Sequence, residues 1–338
     1  MTGSAAGFLV LVAAGVMNAS FTLPMKYTRR WAWENTWLAW SIFALVLLPS
    51  LSTLATVPHL GAVYRSAGPS LILDVLGFGA GWGVAQVLFG LAVDAIGIAL
   101  TFSIVLSTSA AVGTLIPLLR LHPERINSGA GHDVLAGVAL VIAGVMVCAV
   151  AGKRRENVLR TNAAGTNRMM PGMMLAILCG FGASFVNFGL AFGAPLIHLA
   201  RTFGAGTFGA SNVVWMPLTM AGAIPNVFYC ILLLRRNRTG ARFGAAGAMY
   251  WFLALVMAVL WFGSTVLYGV AATQLGAWGP ILGWPLFMSL IVIVASVLGI
   301  VSGEWKNSGR APVTLQWAGV GLLVVAVFVL AGATRNLS

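Results

Sequence analysis

Ten apolar stretches, each near the length of a membrane-crossing helix, leave this chain few ways to fold. They run at roughly 4–25, 36–57, 70–93, 97–119, 133–151, 171–197, 211–234, 247–273, 279–301 and 313–333. About 20 apolar residues carry a helix across the hydrocarbon core of a bilayer. Of the 338 residues, 59% are hydrophobic and only 8% are charged, against about 25% charged in a soluble domain. Lipid is therefore the solvent. A transmembrane β-barrel would show alternating segments of roughly ten residues. These runs are continuous, so they read as an all-α integral membrane protein with ten transmembrane helices, helix 1 to helix 10. No basic residue precedes Phe8, so the first run reads as helix 1 rather than a cleaved signal.

The net charge of +12 raises nucleic acid as a partner, but its distribution points to topology instead. Fourteen of the 19 Lys and Arg follow helices 1, 3, 5, 7 and 9, and five lie elsewhere. The densest groups are "GKRREN" (152–157) and "RRNRTGAR" (235–242). The positive-inside rule places those loops in the cytoplasm and both termini outside. No nucleic-acid partner is expected. Trp31, Trp33, Trp37, Trp278, Trp284 and Trp305 flank the runs and read as interfacial anchors. Trp82 and Trp261 differ, because each sits near the centre of its run.

Those two tryptophans open matched stretches. "WGVAQVLFGLAVDAIG" (82–97) aligns without a gap to "WFGSTVLYGVAATQLG" (261–276), 179 residues on. The basic segment 152–170 separates five runs from five. The reading is therefore an N-terminal repeat (1–151), a basic cytoplasmic linker (152–170) and a C-terminal repeat (171–338). An odd number of helices per half inverts the second half. Inverted repeats of this kind build secondary transporters, with the substrate site near the midplane and alternating access.

Trp82, Gln86, Gly90 and Asp94 are spaced by four and share one side of helix 3. Trp261, Thr265, Gly269 and Thr273 do the same on helix 8, where Tyr268 faces Phe89 in the alignment. Each stripe offers an aromatic face, a hydrogen-bonding group and a glycine for close approach. Ordinary packing by small and polar residues in lipid is the competing account. Amides at depth are harder to hide than Ser or Thr hydroxyls, which bond the preceding turn. Asn18, Gln86 and Asn187 are therefore the leading binding candidates, joined by Trp82, Trp261, Thr265 and Tyr268. Such amides, with Trp and Tyr faces, suit a small neutral polyhydroxylated ligand.

A proton-coupled carrier needs a titratable group at depth. Of the seven acids, Asp74 alone is expected inside a span, about one turn from its outer end, and is the candidate for proton coupling. His198 is a second protonatable group near an outer helix end. Cys148, Cys179 and Cys230 lie within apolar runs and read as small buried hydrophobes. No spacing suits a metal, and no cofactor is called for. Metalloprotease, nucleophile-elbow and P-loop patterns are all missing, so no enzyme is expected and a solute or ion gradient must supply the energy.

Two loop stretches carry a resemblance: "SFTLPMKYTRRWAWENTW" (20–37) and "GEWKNSGRAPVT" (303–314). With "FGAGWG" (78–83), "GTL" (113–115) and "CGFGAS" (179–184), they resemble the L-rhamnose–proton symporter family of the drug/metabolite transporter superfamily. The resemblance runs along nearly the whole chain. It implies a ten-helix inverted-repeat fold and import of a 6-deoxyhexose with a proton across a bacterial inner membrane. It also singles out Pro24, Lys26, Trp33, Glu34, Glu304, Trp305, Asn307 and Arg310. Lys26, Glu34, Glu304 and Arg310 then read as a cytoplasmic gate or clasp. The pairings open to them are Glu34 with Arg310 or Lys26, and Glu304 with Lys306 or Arg29. Two other readings stay open: a drug/metabolite-type carrier for another, more amphipathic or lipid-linked cargo, either as an exporter or without proton coupling, and a membrane protein that transports nothing.

Overall fold

The computed structural model describes residues 2–159, 169–244 and 247–333, and among these it is helical with no strand. Among the described residues, ten helices are long and apolar enough to cross a membrane. They are helix 1 (Ala6–Tyr27), helix 2 (Trp33–Thr56), helix 3 (Leu60–Ile96), helix 4 (Leu100–Leu121), helix 5 (Gly129–Val158), helix 6 (Met169–Thr202), helix 7 (Asn212–Asn237), helix 8 (Ala248–Gln274), helix 9 (Gly279–Val301) and helix 10 (Arg310–Ala333). The ten apolar runs therefore each become one helix. The beginning of the 152–170 segment continues helix 5, and residues 160–168 lie outside the described part.

Helix 1 ends its α winding at Ser20 and closes with a 3₁₀ turn at Leu23–Tyr27, and three further helices are interrupted, each for a local reason. At about 1.5 Å per residue, the 37 residues of helix 3 exceed the thickness of a bilayer. Gly68 breaks it with φ 77° and ψ 161°, a backbone region that favours glycine. Pro69 then restarts it, since a proline suits a first helical turn. Residues 60–67 thus form a separate arm, and the spanning part begins where the apolar run does. In helix 2, Ile42–Leu47 is wound as a π-helix between two α-helical parts. Pro49 follows. It has no N–H to give the carbonyl four residues back, and the wider winding precedes it. Helix 6 has three segments, Met169–Ala183, Phe185–Phe192 and Ala194–Thr202. Ser184 lies at the first break. Its hydroxyl donates to Gly180 O at 3.2 Å and Ser109 O at 3.3 Å. Pro195 lies just past the second break.

The described residues group into two compact units. The first joins Ala6–Val87 to Phe185–Gln274 and holds helices 1, 2, 7 and 8 with much of helices 3 and 6. The second joins Leu88–Ser184 to Leu275–Ser338 and holds helices 4, 5, 9 and 10. Each unit draws on both halves of the sequence.

Within the first unit, helix 3 meets helix 7 through glycine. A side chain at Gly79 would strike the Leu218 backbone, and one at Gly83 would strike the Gly222 backbone. Burial cannot drive helices together in lipid, so close backbone approach supplies the contact. This accounts for the "FGAGWG" motif. The second unit repeats the device: Gly144 and Gly319 bring helix 5 against helix 10. "GTL" has its reason here too, because the Trp284 indole lies where a side chain of Gly113 would be. The Trp284 N–H donates to Ser109 O at 3.0 Å. Trp284 is buried, a helix-packing wedge rather than the outer anchor expected of it.

Loop contacts within each unit agree with ten crossings. Trp31, before helix 2, packs edge-on against Phe243 and Trp251, which bracket the joint between helices 7 and 8. Arg155, at the end of helix 5, lies over Trp305, between helices 9 and 10. Arg125, between helices 4 and 5, lies over Trp278, between helices 8 and 9. An even number of crossings separates the members of each pair, so each pair shares one membrane face.

Helix 3 supplies a paired test. Gly79→Val is expected to lower the thermal unfolding midpoint of the purified protein in detergent, since overpacking costs about 1–3 kcal/mol. Gly77→Ala, with nothing within 4 Å, is expected to leave the midpoint unchanged.

Candidate functional site

The two matched tryptophans meet. Trp82 of helix 3 and Trp261 of helix 8 stack with ring centroids 5.4 Å apart and planes at 22°. The repeated stretches are therefore neighbours inside the first unit. One turn beyond Trp82, Gln86 is half-buried, and its amide has no hydrogen-bond partner among the described residues. Its counterpart Thr265 is buried and satisfied within its own helix, donating to Trp261 O at 3.1 Å. The glycines differ. Gly269 lies hard against Ser211 and Trp215, whereas Gly90 is exposed with open space around it. The close approach expected of both is realised only at Gly269. Asp94 is exposed in the last turn of helix 3, and Thr273 bonds Val270 O at 2.9 Å.

The other two amides also engage helix 8. Asn18 Nδ2 donates to Ser264 Oγ at 2.9 Å, and Ser264 in turn donates to Trp261 O at 2.6 Å. Asn187 sits fully buried on the short middle segment of helix 6 and accepts a hydrogen bond from the Tyr268 hydroxyl. Asn18, Trp82, Gln86, Asn187, Trp261, Thr265 and Tyr268 thus all belong to one compact unit. Of Asn18, Gln86 and Asn187, Gln86 is the one whose amide is left without a partner among the described residues.

The site extends further along helix 2 than sequence reasoning placed it. Trp33 stacks on Trp37 at 5.2 Å and 17°, and Trp37 meets Trp40 at 4.5 Å. Trp40 packs edge-on against Trp261 at 5.4 Å and 82°. Five indoles therefore run in series, from Trp33, 41% exposed, to Trp40, 1% exposed, and on to Trp261 and Trp82. Phe21 of helix 1 packs against Trp40 at 5.8 Å. The signal was present in the spacing, since residues 33, 37 and 40 are four and three apart and share a helix face. A position near the membrane edge made the first two look like anchors.

At the end of this series lies a polar clasp. Glu34 is 4% exposed. Its carboxylate accepts from Thr239 Oγ1 at 2.6 Å and Asn237 Nδ2 at 3.0 Å. Asn35 Nδ2 donates to Thr239 O at 3.1 Å, and Asn35 Oδ1 accepts from the Ala32 backbone N–H at 3.2 Å. Trp31, 5% exposed, backs the clasp with its ring contacts, so it is a packed core residue and not the interfacial anchor it was read as. Asn237 and Thr239 lie inside the basic stretch 235–242, which sequence reasoning read only for its charge. In the second unit, Glu304 faces Arg155 at 3.8 Å. Lys26, Arg310, Asp74 and His198 are exposed. Of the seven acids, Glu34 alone is buried.

Among the described residues, ten helices able to cross a membrane, with an aromatic and amide-bearing interior, define an integral membrane protein. The chain belongs to the L-rhamnose-proton symport protein (RhaT) family, whose model matches residues 4–334. Relatives include the L-rhamnose-proton symporters of Escherichia coli O17:K52:H18 and Escherichia coli O157:H7. Each is 27% identical over 326 residues and covers 94% of both chains. One crystal structure of a protein covers 98% of both chains with a TM-score of 0.57 at 16% identity, a likeness in fold. The family is one of transporters, not enzymes, and the protein is a multi-pass component of the bacterial cytoplasmic membrane.

The clasp has a measurable strength. Glu34→Ala would leave the Asn237 and Thr239 donors without their charged acceptor. A bond to a charged group contributes about 1.5–3 kcal/mol, so the unfolding midpoint in detergent is expected to fall. Glu34→Gln, which keeps one acceptor, is expected to lose less.

Proposed function

We propose that this chain imports L-rhamnose or a similar deoxy sugar together with protons, by alternating access. The observation that carries this reading is the family match along residues 4–334. The interior fits such a cargo. Stacked indoles offer flat apolar surface for the C–H face of a sugar ring, and the Gln86 amide offers a donor and an acceptor to its hydroxyls. The substrate contacts proposed are Asn18, Trp82, Gln86, Asn187, Trp261, Thr265 and Tyr268. No charged side chain is among them, which suits a neutral molecule.

Alternating access needs bodies that move, and the chain forms two compact units. Helix 6 passes from one to the other at its break beside Ser184. We read the fold as a 5+5 inverted repeat with both termini outside, on the charge count and the matched stretches. The coupling acid proposed is Asp74, an exposed carboxyl in the outer half of helix 3. Cytoplasmic gating or clasping is proposed for Lys26 and Glu34 within the first unit, and for Glu304 and Arg310 within the second.

Reconstituted vesicles test the reading. Saturable uptake of labelled L-rhamnose is expected, stimulated by an inward proton gradient. Absence of saturable uptake with and without the gradient would refute the sugar. Uptake indifferent to the gradient would remove the symport. Gln86→Ala is expected to raise KM about tenfold, the equivalent of one lost hydrogen bond of about 1.4 kcal/mol. Asp74→Asn is expected to abolish concentrative uptake while leaving sugar exchange intact.

A further inference from the structure

Tryptophan N–H groups usually find a partner when buried, and burying one unpaired is costly. In helix 2, Trp37 follows the rule: its Nε1 donates to Asn226 Oδ1 at 3.3 Å. Trp40, three residues on, does not. It is 1% exposed, and its Nε1 has no acceptor. The next residue, Ser41, is fully buried, and its hydroxyl is also without a partner. The rings beside Trp40 are those of Phe21, Trp37 and Trp261, and a ring edge offers no oxygen to accept.

A second feature marks the same place. The π-helical segment of helix 2 starts at Ile42, directly after this pair. Segments wound this way are rare and concentrate at functional sites. A buried donor left unspent, beside aromatic faces and a disturbed helix, is how a site built for a ligand hydroxyl looks without that ligand. The chemistry narrows the ligand. An anion or cation would find no opposite charge among Trp40, Ser41, Trp82 and Trp261. A wholly apolar cargo would leave the indole N–H and the Ser41 hydroxyl unpaired. A neutral molecule with both C–H faces and hydroxyls satisfies both needs, and a deoxyhexose is such a molecule.

We infer that Trp40 is a substrate-binding residue whose indole N–H donates to a hydroxyl of the sugar held beside Trp261 and Trp82. The inference rests on the sugar reading above and adds a residue to that site. It gives helix 2 a direct part in recognition, next to the stripes on helices 3 and 8. The indole supplies the donor, and the Ser41 hydroxyl stands ready to accept or donate to a second oxygen.

The experiment measures equilibrium binding of labelled L-rhamnose to the full-length protein in detergent, for wild type, Trp40→Phe and Ser41→Ala. Mono-deoxy analogues of L-rhamnose serve as competitors, and unfolding midpoints are recorded alongside. Trp40→Phe keeps an aromatic ring and removes the N–H. It is expected to weaken binding roughly tenfold with an unchanged unfolding midpoint. One analogue, lacking the hydroxyl that meets Trp40, is expected to lose affinity for wild type and none further for the variant, because the two changes remove the same bond. Wild-type affinity in Trp40→Phe would overturn the inference while leaving the sugar reading in place. So would weakened binding that no single analogue reproduces, or that follows a lowered midpoint, since either would make the residue a packing element. No binding of L-rhamnose to wild type would overturn the sugar reading and this inference with it.

Discussion

The bilayer core contains no water to satisfy a free backbone group, and this constraint shapes everything else in the chain. Every peptide unit at depth must find its partner within its own helix or from a neighbour. Ten long helices are the direct answer. The interruptions are therefore informative, because each needs a substitute partner. At Ser184 in helix 6, the serine hydroxyl reaches carbonyls of helices 6 and 4. At Gly68 the break lies before the spanning part of helix 3 begins. In helix 2 the chain keeps its bonding by winding more widely at Ile42–Leu47.

The same constraint changes how the helices associate. Lipid tails are as apolar as leucine, so burial of apolar side chains gives no net drive between helices. Contact comes from closeness instead, through Gly79 and Gly83 against helix 7 and through Gly144 and Gly319 between helices 5 and 10. Polar groups then act at short range. Asn18 with Ser264, Asn187 with Tyr268 and Gln316 with Ser296 each tie two helices together. Beside these ties, the Gln86 amide is without a partner among the described residues, as is the Trp40 indole N–H, and both lie next to the stacked pair of Trp82 and Trp261, which makes them the candidates for a solute.

Much of this was legible in the sequence because lipid enforces simple rules. Length and polarity fixed ten helices, and the Gly68–Pro69 break fell where the third apolar run begins. The repeat placed Trp82 and Trp261 as equivalents, and they stack on one another. What escaped was three-dimensional company. Trp31 and Trp284 stand near the ends of apolar runs, which is where anchors stand, yet loop and helix partners bury both. Trp33, Trp37 and Trp40 share a face, but only the fold joins that face to Trp261. Glu34 was singled out through its motif, while Asn237 and Thr239, some 200 residues away in the chain, lay in a stretch read only for its charge. A π-helical turn has no sequence signature beyond a nearby proline, and so it was unforeseen. The pairing of Gly90 with Gly269 was expected to be symmetric and is not, because identity between repeats fixes a residue and not its neighbours.

The wide turn in helix 2 has a consequence for how such a chain varies over time. A π-turn behaves as an α-helix carrying one surplus residue. Deleting a residue there would let the helix close into regular α winding without breaking it. Trp33, Trp37 and Trp40 would keep their face toward Trp261, because the wide turn already absorbs the residue that would otherwise turn the helix by about 100°, the angle of one helical step. In relatives of this protein, loss of a single residue between positions 42 and 47 would remove the wide winding and leave the aromatic alignment of helix 2 in place. A loss elsewhere in the helix, with no surplus residue to absorb it, would turn that alignment away.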